Sequence, residues 1–134
     1  MISAAPAETG GILAGFRDGE TVRVIDASLA GPRSESSPTY FRRDGQHDQV
    51  FLKRVAQDHT KADYVGEWHS HPCGSTSPSS TDIDSLQQIA IDPDYLTGEP
   101  VMVIVGPGGG SGYEFTGTVH AVDGSFRPVQ IIDG

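Results

Sequence analysis

Tyr64-Val65-Gly66-Glu67-Trp68-His69-Ser70-His71-Pro72 is the stretch from which the architecture can be read. Residues 64–69 carry aromatic and β-branched side chains and predict a strand. The segment 72–78 is a loop of small residues, and Ser79 then opens a helix. Ile83, Leu86 and Ala90 stand at i, i+3 and i+7 on that helix, Ile89 widens its apolar face, and Asp92-Pro93 ends it. Val101-Met102-Val103-Ile104-Val105 follows as an unbroken apolar run, the pattern of a strand buried on both faces. Strand, helix and strand in succession point to an α/β domain.

Upstream, Gly10-Gly11-Ile12-Leu13-Ala14-Gly15-Phe16 reads as a buried strand that passes close to other backbone. Asp18-Gly19 signals a hairpin turn, and Val22, Val24 and Ile25 begin a strand running to about residue 30. A loop rich in Ser and Pro covers 31–38, and Tyr40-Phe41 is expected to return briefly to the sheet. Residues 44–60 predict a helix with Val50, Phe51, Arg54, Val55 and Asp58 on one stripe. Downstream, five glycines and one proline in 106–112 make a turn. Residues 113–122 alternate, Asp123-Gly124 turns again, and 126–132 forms the last strand. The expectation is one domain over 1–134, with a mixed, mainly antiparallel, curved sheet of about six strands flanked by two helices.

The 134 residues include 18 acidic and 9 basic side chains, a net charge of −9 with neutral histidines. Such a balance argues against nucleic acid, where affinity comes from neutralising phosphates, and against an anionic membrane surface. It leaves room for a basic partner or a bound dication. The single cysteine, Cys73, cannot form an internal disulfide or a Cys-rich zinc site, and a cytoplasmic location is expected. Residues 1–7 lack the basic and apolar regions of a signal peptide, and no run approaches the ~18 apolar residues of a membrane span.

His69 and His71 stand two apart on a strand and therefore present both imidazoles to one face. Neutral imidazole is a zinc ligand, and Asp82 is well placed to supply a third. Ser79-x-x-Asp82 also reads as a helix start, with Ser79 as N-cap and Asp82 at the third helical position. Two histidines and a carboxylate leave an open fourth position, as in catalytic zinc sites. A hydrolase then needs a group to hold and pass on a proton. Glu8 is the candidate, with Gly10 and Gly11 letting that edge approach the metal. Glu67 and Trp68 read as neighbours of the site, Cys73 as an inert loop thiol, and His47, His59 and His120 as surface or sheet residues.

Together, Glu8, His69-Ser70-His71, seven intervening residues and Ser79-x-x-Asp82 resemble the JAB/MPN+ (JAMM) zinc metalloproteases. Glu8-Thr9-Gly10-Gly11-Ile12-Leu13-Ala14-Gly15 looks like their first block, and Gly66-Glu67-Trp68 looks like the bacterial branch. The likeness runs from Glu8 to about Val105. It implies that His69, His71 and Asp82 bind zinc, that Glu8 is the general acid/base and that Ser79 helps hold the oxyanion. It implies cleavage after the C-terminal glycine of a ubiquitin-like protein. Bacterial members resemble deconjugases of CBASS- or BIL-type antiphage operons. The alternatives it leaves are hydrolysis of a sulfur-carrier adduct and a non-catalytic scaffold. Family members usually carry a strand and a helix before the glutamate, and only seven residues precede Glu8 here, so that element is expected to be missing.

Overall fold

A computed structural model of the chain describes residues 8–36, 41–42, 45–72, 75–95, 98–108 and 112–132. Tyr40, Asp44, Cys73 and the middle of the 106–112 turn lie outside them. The chain runs β1 (Gly10–Asp18), β2 (Thr21–Ala27), β3 (Glu35–Ser36), β4 (Phe41–Arg42), α1 (Gly45–Asp58), β5 (Asp63–Ser70), α2 (Ser80–Ile91), β6 (Val101–Pro107), β7 (Tyr113–His120) and β8 (Phe126–Val129). Six strands form one sheet in the order β2-β1-β5-β6-β7-β8. Only the β5–β6 pair is parallel, joined by the α2 crossover; all other pairs are antiparallel.

Three expectations need correction. Phe41 does not return to the main sheet: β3 and β4 pair only with each other, Ser36 opposite Phe41. β2 ends at Ala27 because Ser28 turns back across β1. On α1 the buried residues are Asp48, Phe51 and Val55, while Val50 is exposed. The i, i+4 pair Phe51 and Val55 therefore supplies the buried apolar anchoring, with Leu52 packed partly against the same cluster, and Val50 points into solvent.

The sheet register places Ile12 opposite Glu67 and Glu67 opposite Met102, and likewise Gly10, His69 and Ile104 in a row. Directly opposed residues share a face, so His69 lies on the same face as Ile12, Met102 and Ile104. Both helices cover that face. Phe51 and Val55 from α1 and Ile89 from α2 pack with Ile12, Ala14 and Tyr64, and Leu86 packs with Met102 and Ile104. The metal-ligand candidates thus stand at the rim of the main core.

A shift between Leu13 and Ala14 makes Leu13 face Gly66 and Ala14 face Tyr64, leaving Val65 as a bulge. The bulge brings Tyr64 to the Glu67 side, where its hydroxyl donates to Glu67 Oε2 at 2.9 Å. At Gly66 an added Cβ would sit 2.0 Å from the Val101 carbonyl oxygen, so only glycine permits this close parallel pairing. Gly45, at the start of α1, has nothing within 4 Å of such an atom. Gly66→Ala should therefore destabilise by ~3 kcal/mol, the upper end for overpacking, in urea unfolding. Gly45→Ala should stay within about 0.5 kcal/mol of the parent or gain slightly.

Candidate metal centre

Three separate elements converge on one point. β5 delivers His69 and, one step past its end, His71. Their Nε2 atoms lie 3.0 Å apart and their ring centres 4.9 Å apart. The N-terminus of α2 delivers Asp82, whose Oδ1 is 3.1 Å from His69 Nε2 and whose Oδ2 is 3.3 Å from His71 Nε2. The segment leading into β1 delivers Glu8, which is only 8% exposed. Glu8, His69 and His71 offer ligand atoms within 4.8 Å of one another, a group able to hold a metal ion.

Local chemistry holds each side chain. Ser79 is the N-cap of α2: its hydroxyl accepts from Asp82 N at 3.1 Å, and Asp82 Oδ2 accepts from Ser79 N at 2.8 Å. This reciprocal box satisfies two helix-end donors and fixes the Asp82 rotamer. His71 Nδ1 lies 2.7 Å from the Ser75 carbonyl oxygen. A carbonyl only accepts, so Nδ1 carries a proton, and neutral His71 presents a bare Nε2 lone pair to the centre.

The donor set fits a zinc ion. Around a tetrahedral ion with bonds of about 2.0–2.1 Å, neighbouring ligand atoms stand ~3.3 Å apart. The contacts of 3.0–3.3 Å among two imidazole nitrogens and two carboxylate oxygens lie close to that spacing.

Electrostatics separate the two carboxyls. Burial opposes ionisation of Asp82, but its hydrogen bond to His69, the charge of that ring and the Ser79 bonds outweigh it, and the pKa falls from 3.8 to about 2. Burial pushes the Glu8 carboxyl above its ordinary range, with the Asp82 charge adding to this and His69 and His71 opposing it. One carboxyl is thereby held as an anion while the other is eased toward accepting a proton.

Glu8, His69, Ser79 and Asp82 line one cavity of about 360 Å³, floored by Leu86 and Met102. Glu8, His69, His71, Ser79 and Asp82 thus meet; His71 does not line the cavity, but its ring touches His69 and Asp82. Glu67 and Trp68 also line the cavity. Gly10 and Gly11 pass close to other backbone, as the sequence reading expects. A Cβ on Gly11 would sit 2.3 Å from the Ser28 carbonyl oxygen, and one on Gly10 would sit 2.4 Å from that of Trp68. These glycines admit neighbouring backbone. Sequence reasoning missed Ser28, whose hydroxyl accepts from Ile12 N at 2.9 Å while its carbonyl accepts from Trp68 Nε1 at 2.8 Å. A serine one residue past a strand carries no signal of that role. His120 is buried, with Nε2 2.7 Å from Thr118 Oγ1, and stacks on Phe126.

A family model described as prokaryotic homologs of the JAB domain matches residues 3–118. The CD-NTase/cGAS isopeptidase of Enterobacter hormaechei subsp. hoffmannii (strain UCI 50) is 38% identical over 114 residues, 84% of this chain and 62% of its own length. A protein of the same name from Vibrio cholerae serotype O1 is 31% identical over 103 residues, 74% of this chain and 62% of its own length. The chain thus spans 62% of the length of these curated relatives. The solution structure of protein DSY2949 from Desulfitobacterium hafniense shares the fold, with a TM-score of 0.56 at 21% identity over 93% of this chain and 77% of that one.

The depressed pKa of Asp82 sets a pH dependence in metal-free protein. The carboxylate's contribution to stability is complete above its unfolded value of 3.8 and is lost as pH falls toward about 2. Asp82→Asn should lower the urea midpoint at pH 6, and its deficit against the parent should shrink over that acid interval. A deficit constant with pH would show that the Asp82 charge is not coupled to folding.

Proposed function

The chain belongs to the prokaryotic JAB-domain family, and from that premise we propose a zinc-dependent isopeptidase or peptidase that cleaves after the C-terminal glycine of a ubiquitin-like protein. The observation that carries the reading is the convergence of His69, His71 and Asp82 beside the buried Glu8. The names of the relatives, CD-NTase/cGAS isopeptidase, support an isopeptide bond as the target, and we assign the chain to CBASS-type antiphage defence. A full ligand set argues against a scaffold without catalysis. Among the described residues no helix is long and apolar enough to cross a membrane. We place the reaction in the cytoplasm.

His69, His71 and Asp82 would hold the zinc. Asp82 is assigned as the third ligand in preference to Glu8 because its oxygens already touch both Nε2 atoms. Bound zinc supplies a Lewis acid that polarises the scissile carbonyl and acidifies water to near neutrality. Glu8 takes the proton of the attacking water and passes it to the departing amine, a task suited to a carboxyl whose pKa burial has raised. Ser79 keeps its own O–H free to donate to the oxyanion, since Asp82 N uses only a lone pair of its oxygen.

The substrate tail is assigned to the side of β1 that faces β2, beyond the end of their pairing. Ile12 turns its N–H and C=O to Ser28, which occupies both. Gly10, two residues earlier, turns its main-chain groups to the same side, and the β1–β2 pairing stops at Leu13. An extended tail can add there as a strand, gripped by main chain next to Glu8.

Fresh protein should contain one zinc per chain by elemental analysis, lost in a His69→Ala, His71→Ala double variant. Glu8→Ala should keep zinc and fold while kcat drops ~10²–10⁴-fold; loss of its metal would make Glu8 a ligand instead. Replacing the final substrate glycine with valine should abolish cleavage, and undiminished cleavage would refute the tail assignment.

A further inference from the structure

We propose that Ser70, the residue between the two histidines, is a positioning residue for Glu8, acting through the main chain of Thr9. The kinetic part of this inference rests on the hydrolase reading; the structural part does not.

Glu8 lies two residues before β1 begins, outside the regular strand. Ordinary strand pairing therefore does not hold it. What holds the intervening residue is Ser70. In a regular antiparallel ladder, opposed residues exchange two main-chain bonds. Here Ser70 N donates to Thr9 O at 2.8 Å, but the return bond from Thr9 N goes to the Ser70 hydroxyl at 3.0 Å. The same hydroxyl lies 3.4 Å from Thr9 O. A side chain thus closes the last rung of the β1–β5 ladder. On its other side β5 continues to serve β6, with His71 N donating to Val105 O at 2.8 Å.

The consequence is geometric. Ser70 occupies the strand position whose side chain faces away from His69 and His71, so it does not compete for the metal. It ties the peptide next to Glu8 to the residue between both histidines. The separation of base and metal ligands is set across one rung. Proton transfer needs heavy atoms within about 2.6–3.2 Å, so slack at that rung costs rate before it costs fold. Thr9 is exposed, so water can satisfy its N–H when the hydroxyl is removed, and the domain persists.

The experiment compares Ser70→Ala and Ser70→Thr in the full chain. In Ser70→Ala the Thr9 amide should exchange with deuterium about tenfold faster or more, while core amides of β5 and β6 keep their protection. Zinc content should match the parent. With a ubiquitin-like fusion as substrate, kcat should fall about 10–100-fold at unchanged KM, the scale seen for groups that orient catalytic partners. Ser70→Thr, which retains a hydroxyl, should restore both readouts. Added to Glu8→Ala, Ser70→Ala should cost nothing further. Unchanged Thr9 exchange in Ser70→Ala, or a further loss of kcat in the double variant, overturns the assignment. A parent protein that cleaves no such substrate overturns the hydrolase reading instead, and the exchange comparison still decides whether Ser70 holds Thr9.

Discussion

The antiparallel pairing of β1 with β5 is the constraint on which the rest of the molecule depends. It sets Gly10 against His69 and so carries Glu8, from the far end of the sequence, to the histidine pair. The same pairing aligns Ile12 and Ala14 with the face that α1 and α2 cover. Core and site are therefore built on one register. A one-residue slip of β1 against β5 would turn Ile12 to the face opposite His69 and out of the core.

The second constraint is the start of α2. Helix N-termini leave main-chain donors unpaired, and Ser79 with Asp82 satisfies two of them by a reciprocal box. Packing of Leu86 and Ile89 on the sheet fixes where that terminus lies. Asp82 is then delivered to His69 and His71 with its rotamer already chosen. Capping and contact with the two histidines use different lone pairs of one carboxylate, so neither excludes the other. The ionised state that suits both is the one favoured by the depressed pKa.

Backbone proximity is the theme of the region around the cavity. Gly11 admits Ser28, Gly66 admits Val101, and the Val65 bulge swings Tyr64 onto Glu67. Close approach tightens β1, β5 and β6 behind the histidines, and strands held this way keep side chains at their ends in place. Where β2 ends at Ala27, the β1–β2 pairing stops at Leu13, so no β2 residue stands opposite Gly10, two residues from Glu8.

Much of this was legible in the residues themselves. Period-2 placement of His69 and His71, the Ser79-x-x-Asp82 cap and the apolar run of β6 are local patterns, and local patterns encode local geometry. The strands, the two helices and the mixed sheet followed from them. Tertiary structure alone decided the rest, because it depends on contacts between residues distant in sequence. It put Phe41 in a separate ribbon, left Val50 in solvent, and ended β2 early because the Ser28 hydroxyl accepts from Ile12 N while the Ser28 carbonyl turns to Trp68. It also decided that the glycines beside Glu8 admit Ser28 and Trp68, and that a serine hydroxyl closes the ladder at Thr9. A serine or glycine has the same local signature wherever it stands, and only the chain packed against it determines its use.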